Sequence, residues 1–118
     1  MPAKPLVWVG ATLERVRAFP APARREAGHQ LHVVQLGLDP ADWKPMNSVG
    51  PGVRELRVHA EGEFRVLYVA KFAEAVYVLH AFTKRTQQTR EADVGLARTN
   101  LAAVLRYRRE EGGQRHGR

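Results

Sequence analysis

Apolar and polar positions follow a helical period in the first third of the chain and a strand-like period in the middle. Leu6-Val7-Trp8-Val9, bounded by Pro5 and Gly10, reads as a short strand rich in β-formers. Thr12 opens a short helix with Leu13 and Val16 three apart, ending before Pro20. Pro22 suits the first turn of a second helix, in which Ala27, Leu31 and Val34 recur at i, i+4, i+7 and Gly37 supplies the stop. Residues 38–52 carry three prolines, two glycines, Asn47 and Ser48, which is loop chemistry, with Trp43 and Met46 expected to pin the loop to the core.

Val53–Ala60, Glu63–Lys71 and Ala75–Thr83 are runs rich in Val, Leu, Tyr and Phe, joined by links of hairpin length, so neighbouring runs should pair antiparallel. Thr89 begins a last helix, with Glu91 and Asp93 at its positive end and Val94, Ala97, Leu101, Val104 and Leu105 as its apolar stripe. The expected class is α+β, a small antiparallel sheet in the order β-α-α-β-β-β-α with helices packed on one face. The opposite face would then stay open for a ligand. Residues 1–107 form one domain on this reading, and 108–118 a polar, frayed C-terminal tail.

Composition narrows the function classes. The 118 residues include no cysteine, which removes disulfides, thiol catalysis and Cys-based metal sites. No segment approaches the ~20 apolar residues of a membrane span, and the N-terminal run is too short for a signal peptide core, so a cytoplasmic location without membrane contact is expected. The net charge is +7, and 15 of the 19 basic residues are Arg, whose rigid fork of donors matches phosphate.

Placement matters more than total charge. Arg54, Arg57 and Arg65 interrupt apolar strand runs, while Lys84-Arg85 follows the last one. A three-residue link at Ala60–Gly62 would put Arg57 and Arg65 on one face and Leu56, Val58, Phe64 and Val66 together on the other. Either the arginines bind a polyanion, or they pair with Glu55 and Glu63. The segment from Phe82 to Thr89 sets two cations among hydroxyls and amides, including Thr86, and reads as a phosphate cradle or as a polar connector with a helix cap. His80, late in the last strand, and His59, ending the first central one, are candidates for proton transfer or for packing. His29 and His32 have i, i+3 spacing but no third ligand nearby, so no metal and no cofactor is expected.

Three segments together resemble the RelE/HigB superfamily, and within it the phage-derived HigB-like branch. They are Gly52-Val-Arg-Glu-Leu-Arg57, Phe64-Arg-Val-Leu-Tyr68 and Leu79-His-Ala-Phe-Thr-Lys-Arg-Thr-Gln-Gln-Thr89. The opening Trp8 strand, the 38–46 loop and the closing helix extend the likeness over roughly residues 4–107. The resemblance implies a type II toxin that cleaves messenger RNA, commonly on the ribosome, and is neutralised by a small helix-turn-helix antitoxin. It implies that Arg65, at the Arg-Val-x-Tyr position, holds the scissile phosphate and that Lys84 and Arg85 stabilise its charge. His80 becomes the expected acid or base. Arg57, Arg54, Tyr68 and Thr86 become RNA contacts, Tyr68 by stacking or orientation.

Metal-free cleavage needs the RNA's own 2′-hydroxyl aligned, the phosphoryl oxygens neutralised and protons moved. Because Arg does not give up its proton, Lys84 and His80 are the shuttles expected near the basic pair. Two rival functions fit the same class of chain. One is a non-catalytic toxin acting on a protein such as DNA gyrase, like the ParE branch. The other is a phage-derived nucleic-acid-binding protein using the C-terminal arginines 106, 108, 109, 115 and 118.

Overall fold

The computed structural model describes residues 2–116, with side chains described through residue 112. Its elements are β1 (Leu6–Trp8), α1 (Thr12–Arg17), α2 (Ala21–Gln35), β2 (Trp43–Pro45), β3 (Val53–His59), β4 (Glu63–Val69), β5 (Val76–Thr83) and α3 (Glu91–His116). Five strands form one sheet in the order β1-β5-β4-β3-β2. Only β1 and β5 run parallel. The α+β class is as the sequence predicts.

Local chemistry explains most boundaries. Pro20 adopts φ −53° and ψ 150° immediately before α2, and Pro22 sits in its first turn, where no intrahelical N–H is needed. Beyond α2, Gly37 takes φ +84°. Its N–H donates to Val34 O at 2.9 Å while that of Leu38 donates to Val33 O at 3.2 Å, a paired closure that satisfies two orphan carbonyls. The β3–β4 link is Ala60–Gly62, with Glu61 and Gly62 both at positive φ, and it sets Arg57 directly opposite Arg65.

Tertiary pairing alters the expectation in three places. The proline-bearing segment Trp43–Pro45, expected as loop, forms a short edge strand because β3 offers it a partner, Lys44 lying opposite Glu55. The helices divide between the two faces instead of sharing one. Ala23, Ala27, Leu31 and Val34 of α2, with Val16 of α1, pack on Leu56, Val58, Val66, Tyr68 and Val76. Val94, Ala97, Leu101 and Val104 of α3 pack on Val53, Leu67, Val69, Tyr77 and Leu79 from the other side. The consecutive apolar residues 66–69 of β4 and 76–79 of β5 are the physical reason, since strand segments covered on both faces lose their polar alternation. Leu105 lies outside this contact and is exposed.

The third difference is a bulge in β5. Leu67 pairs with His80 but Tyr68 with Val78, so Leu79 stands unpaired. The extra residue turns His80 to the α3 side, where strict alternation would have placed it with Val76 and Val78. Asn100 on α3 donates its Nδ2 to the freed Leu79 carbonyl at 2.8 Å. The Asn100 side chain leaves so little room at Gly10 that a Cβ there would approach it to 3.1 Å.

α3 continues without a break past Tyr107, so no helix end marks the expected start of the tail. Arg108 is held there by Glu74 and lies over the Phe72 ring. Gly117, Arg118 and the side chain of Arg115, all part of that expected tail, lie outside what is described. Among the described residues, no helix is long and apolar enough to cross a membrane.

Candidate active site

Beyond the start of α3, the α3-side face of the sheet carries a buried carboxylate ringed by cations. Glu55 in mid-β3 is fully buried. Its Oε1 lies 3.5 Å from Arg57 Nε, 3.7 Å from Arg65 Nε and 3.8 Å from Lys44 Nζ. Thr89, just before α3, donates its hydroxyl to Oε2 at 2.8 Å. The strand ladder produces this convergence, because Arg57 faces Arg65 across β3–β4 and Lys44 faces Glu55 across β2–β3.

Lys84 completes the ring. Its backbone N–H donates to Glu63 O at 2.8 Å, extending the β4–β5 pairing by one residue. Burial pushes its ammonium below the ordinary lysine range. The attraction of Glu55 works against that shift, and repulsion from Arg65, Lys44 and Arg57 adds to it. Arg65 is the floor of the cluster, with 7% of its side chain exposed, whereas Arg57 and Lys44 at the rim keep 31% and 43%. Its Nη1 donates to Phe64 O at 3.0 Å and to Glu63 Oε1 at 3.2 Å, while its buried Nε has no hydrogen-bond partner. Four cations against Glu55 and Glu63 leave two positive charges in surplus. Such a rim attracts an anion with several oxygens, as a phosphodiester has.

The model of the family described as "Phage derived protein Gp49-like (DUF891)" matches residues 14–102. This chain belongs to the Gp49-like phage-derived family. That family falls within the RelE/HigB-like toxin clan, and no curated protein matches the chain. The matched span of this Gp49-like protein contains every residue of the cluster.

Not all the residues singled out from the sequence meet there. Arg57, Arg65 and Lys84 do. Arg85 and Thr86 follow in the exposed connector, Thr86 donating its hydroxyl to Gln88 O at 2.6 Å. Arg54 points to the other face, stacked 3.9 Å above the Trp43 ring and paired with Asp39 at 2.8 Å. Tyr68 is also on that face, fully buried under α1 and α2, where burial pushes its hydroxyl up. Tyr68 is therefore closed to stacking by RNA, in contrast to the expectation.

His80 shares the α3-side face but is 2% exposed and stacked on Phe82. Its Nε2 lies 2.8 Å from Asp93 Oδ1. Burial pushes its imidazole down, and Asp93 opposes that shift only in part. In this Gp49-like protein His80 joins β5 to α3 instead of facing the cations. Lys44, Glu55, Glu63 and Thr89 are the members of the cluster that the sequence did not single out as site residues. A glutamate within an apolar strand run is a signal for Glu55. Lys44 carries none, because its place depends on β2.

Proposed function

We propose that this Gp49-like protein is a toxin-type endoribonuclease acting on messenger RNA, with its active site at the Glu55 ring. The carrying observation is the surplus of positive charge gathered around one buried carboxylate at a solvent-reaching rim. Arg57, Lys44 and Arg65 would hold the non-bridging oxygens of the scissile phosphate and neutralise the charge that grows there. Glu55, fully buried, would keep these cations in position, and water at the rim would take the proton of the 2′-hydroxyl as O2′ bonds to phosphorus. Lys84, whose acidity is raised by burial, would give a proton to O5′ as the P–O5′ bond breaks. The products are a 2′,3′-cyclic phosphate and a 5′-hydroxyl end, and no step calls for a metal. Membership of a RelE/HigB-like clan supports the wider reading of a cytoplasmic toxin that works on ribosome-bound message and is neutralised by a helix-turn-helix antitoxin.

The test is cleavage of end-labelled messenger RNA by purified protein, with and without ribosomes, in the presence of chelator. Arg65→Ala and Lys84→Ala, shown to be folded by circular dichroism, should each lose about 100-fold or more in rate. Full activity in both variants would remove the site from consideration. Transcripts that stay intact on induction while DNA breaks would point instead to a protein target such as gyrase.

A further inference from the structure

His59, the last residue of β3, holds its ring between carboxylates from two other segments. Nδ1 lies 2.7 Å from Glu63 Oε2, and Nε2 lies 2.6 Å from Asp42 Oδ2. Neither carboxylate is there by accident of rotamer alone. Glu63 sits opposite His59 in the strand register, and the Asp42 carbonyl accepts the Arg57 N–H at 2.9 Å, which ties its loop to β3. A neutral imidazole has one N–H and could donate to only one of the two. Both contacts are hydrogen bonds only when His59 is an imidazolium.

Glu63 has a second obligation. Its Oε1 accepts from Arg65 Nη1 at 3.2 Å, so one carboxylate divides its charge between His59 and the floor of the cation ring. The charged groups facing His59 are Asp42 from the loop before β2 and Glu63 from β4. Arg57 on β3 and Arg65 on β4 are the next charges behind them.

We propose that His59 is a protonation-sensitive positioning residue that sets, through Glu63, how much positive charge Arg65 presents to an RNA phosphate. The proposal rests on the phosphate-binding reading of Arg65. While His59 is protonated, it draws Glu63 away from Arg65. On losing a proton it releases one carboxylate, and Glu63 turns its charge to Arg65, where it competes with phosphate. RNA binding should therefore weaken as pH rises. Hydrogen bonds donated to Asp42 and then to Glu63 raise the His59 pKa above its ordinary 6.5, which places the change on the alkaline side of that value. The three side chains of the bridge are about half exposed, so the change in affinity should be about two- to fivefold.

Two measurements on the full chain test this from about pH 5.5 to about pH 9. In the first, NMR follows the His59 ring and the Arg65 Nε–H of the free protein. The Arg65 signal should shift with the midpoint of His59 and should lose that shift in His59→Gln and in Glu63→Gln. In the second, fluorescence anisotropy follows binding of a labelled single-stranded RNA with 2′-O-methyl riboses, which cannot be cleaved. Parent affinity should fall two- to fivefold with rising pH, His59→Gln should be weak throughout, and Glu63→Gln tight throughout. An Arg65 signal indifferent to His59, or a parental pH profile in His59→Gln, overturns the proposal. Binding indifferent to Arg65→Ala, beside an Arg65 signal that does follow His59, overturns the phosphate reading and leaves the coupling supported.

Discussion

Arg57 and Arg65 stand directly opposite each other across the β3–β4 ladder, their Nε atoms 3.5 and 3.7 Å from the same oxygen of Glu55. Two like charges opposed on one face repel, and the repulsion grows where water is scarce. Glu55 makes that pairing tolerable. One carboxylate therefore serves both the stability of the sheet and the shape of the cation ring.

Glu55→Ala should lower the free energy of unfolding by about 3–5 kcal/mol, because it removes the fully buried charge between Arg57 and Arg65 and leaves Arg65 with the half-exposed Glu63 alone. Glu55→Gln should cost less, since an amide oxygen can still accept from Thr89. Urea denaturation of the two variants checks the order. A loss below about 1 kcal/mol for Glu55→Ala would show that the arginines find other partners.

Asn100→Ala should cost about 1–3 kcal/mol by stranding the Leu79 carbonyl at the bulge. Because the bulge aims His80 at Asp93, the same change should broaden or move the His80 ring signals in an NMR spectrum. Unchanged stability would mean that the carbonyl is otherwise satisfied.

His80 makes stability fall on the acid side. Its folded pKa lies below the ordinary 6.5, burial being the main cause, so the unfolded chain binds the proton more readily. The contribution is full above about pH 6.5 and is lost as pH drops through and below that value. Melting temperatures measured between about pH 8 and about pH 5 should decline less steeply for His80→Gln than for the parent. Equal slopes would contradict the assignment.

Arg108 should govern the titration of Glu74. Its Nε and Nη2 lie 2.6 and 3.3 Å from the two carboxylate oxygens, and this hydrogen bonding holds the Glu74 carboxyl at about 2. The stabilisation is present above the ordinary value of 4.5 and is lost as pH falls from there toward about 2. In Arg108→Ala, NMR of the Glu74 carboxyl should show its midpoint moving back toward 4.5.

Salt dependence distinguishes phosphate binding from a change of fold. If Lys44 and Arg57 each neutralise one RNA phosphate, removing either should reduce the slope of log affinity against log salt by about 0.7 for single-stranded RNA. Arg54→Ala, on the opposite face and paired with Asp39, should leave the slope unchanged. Equal effects from all three variants would indicate diffuse attraction by the whole surface.

The sequence was informative wherever a property depends on neighbours in the chain. Alternation along β3 and β4, together with a three-residue link containing Gly62, was enough to set Arg57 beside Arg65 and to separate them from Leu56, Val58, Phe64 and Val66. The proline at the start of α2 and the glycine at its end were equally legible, because φ preferences and missing N–H groups act within a few residues.

Only the tertiary structure decided what covers each face and what closes the ring. β2 exists because β3 presents unpaired backbone groups, α3 crosses to the second face because β4 and β5 are apolar on both, and the bulge at Leu79 turns His80 toward Asp93. Lys44, Glu55, Arg65, Lys84 and Thr89 come from four strands or strand ends and a helix start, so no spacing in the chain announces them. The surplus of arginine was written in the sequence. Which cations surround a buried carboxylate, and which lie stacked on Trp43 or paired with Glu74, followed from strand register and burial, where contacts distant in sequence set the charge each group feels.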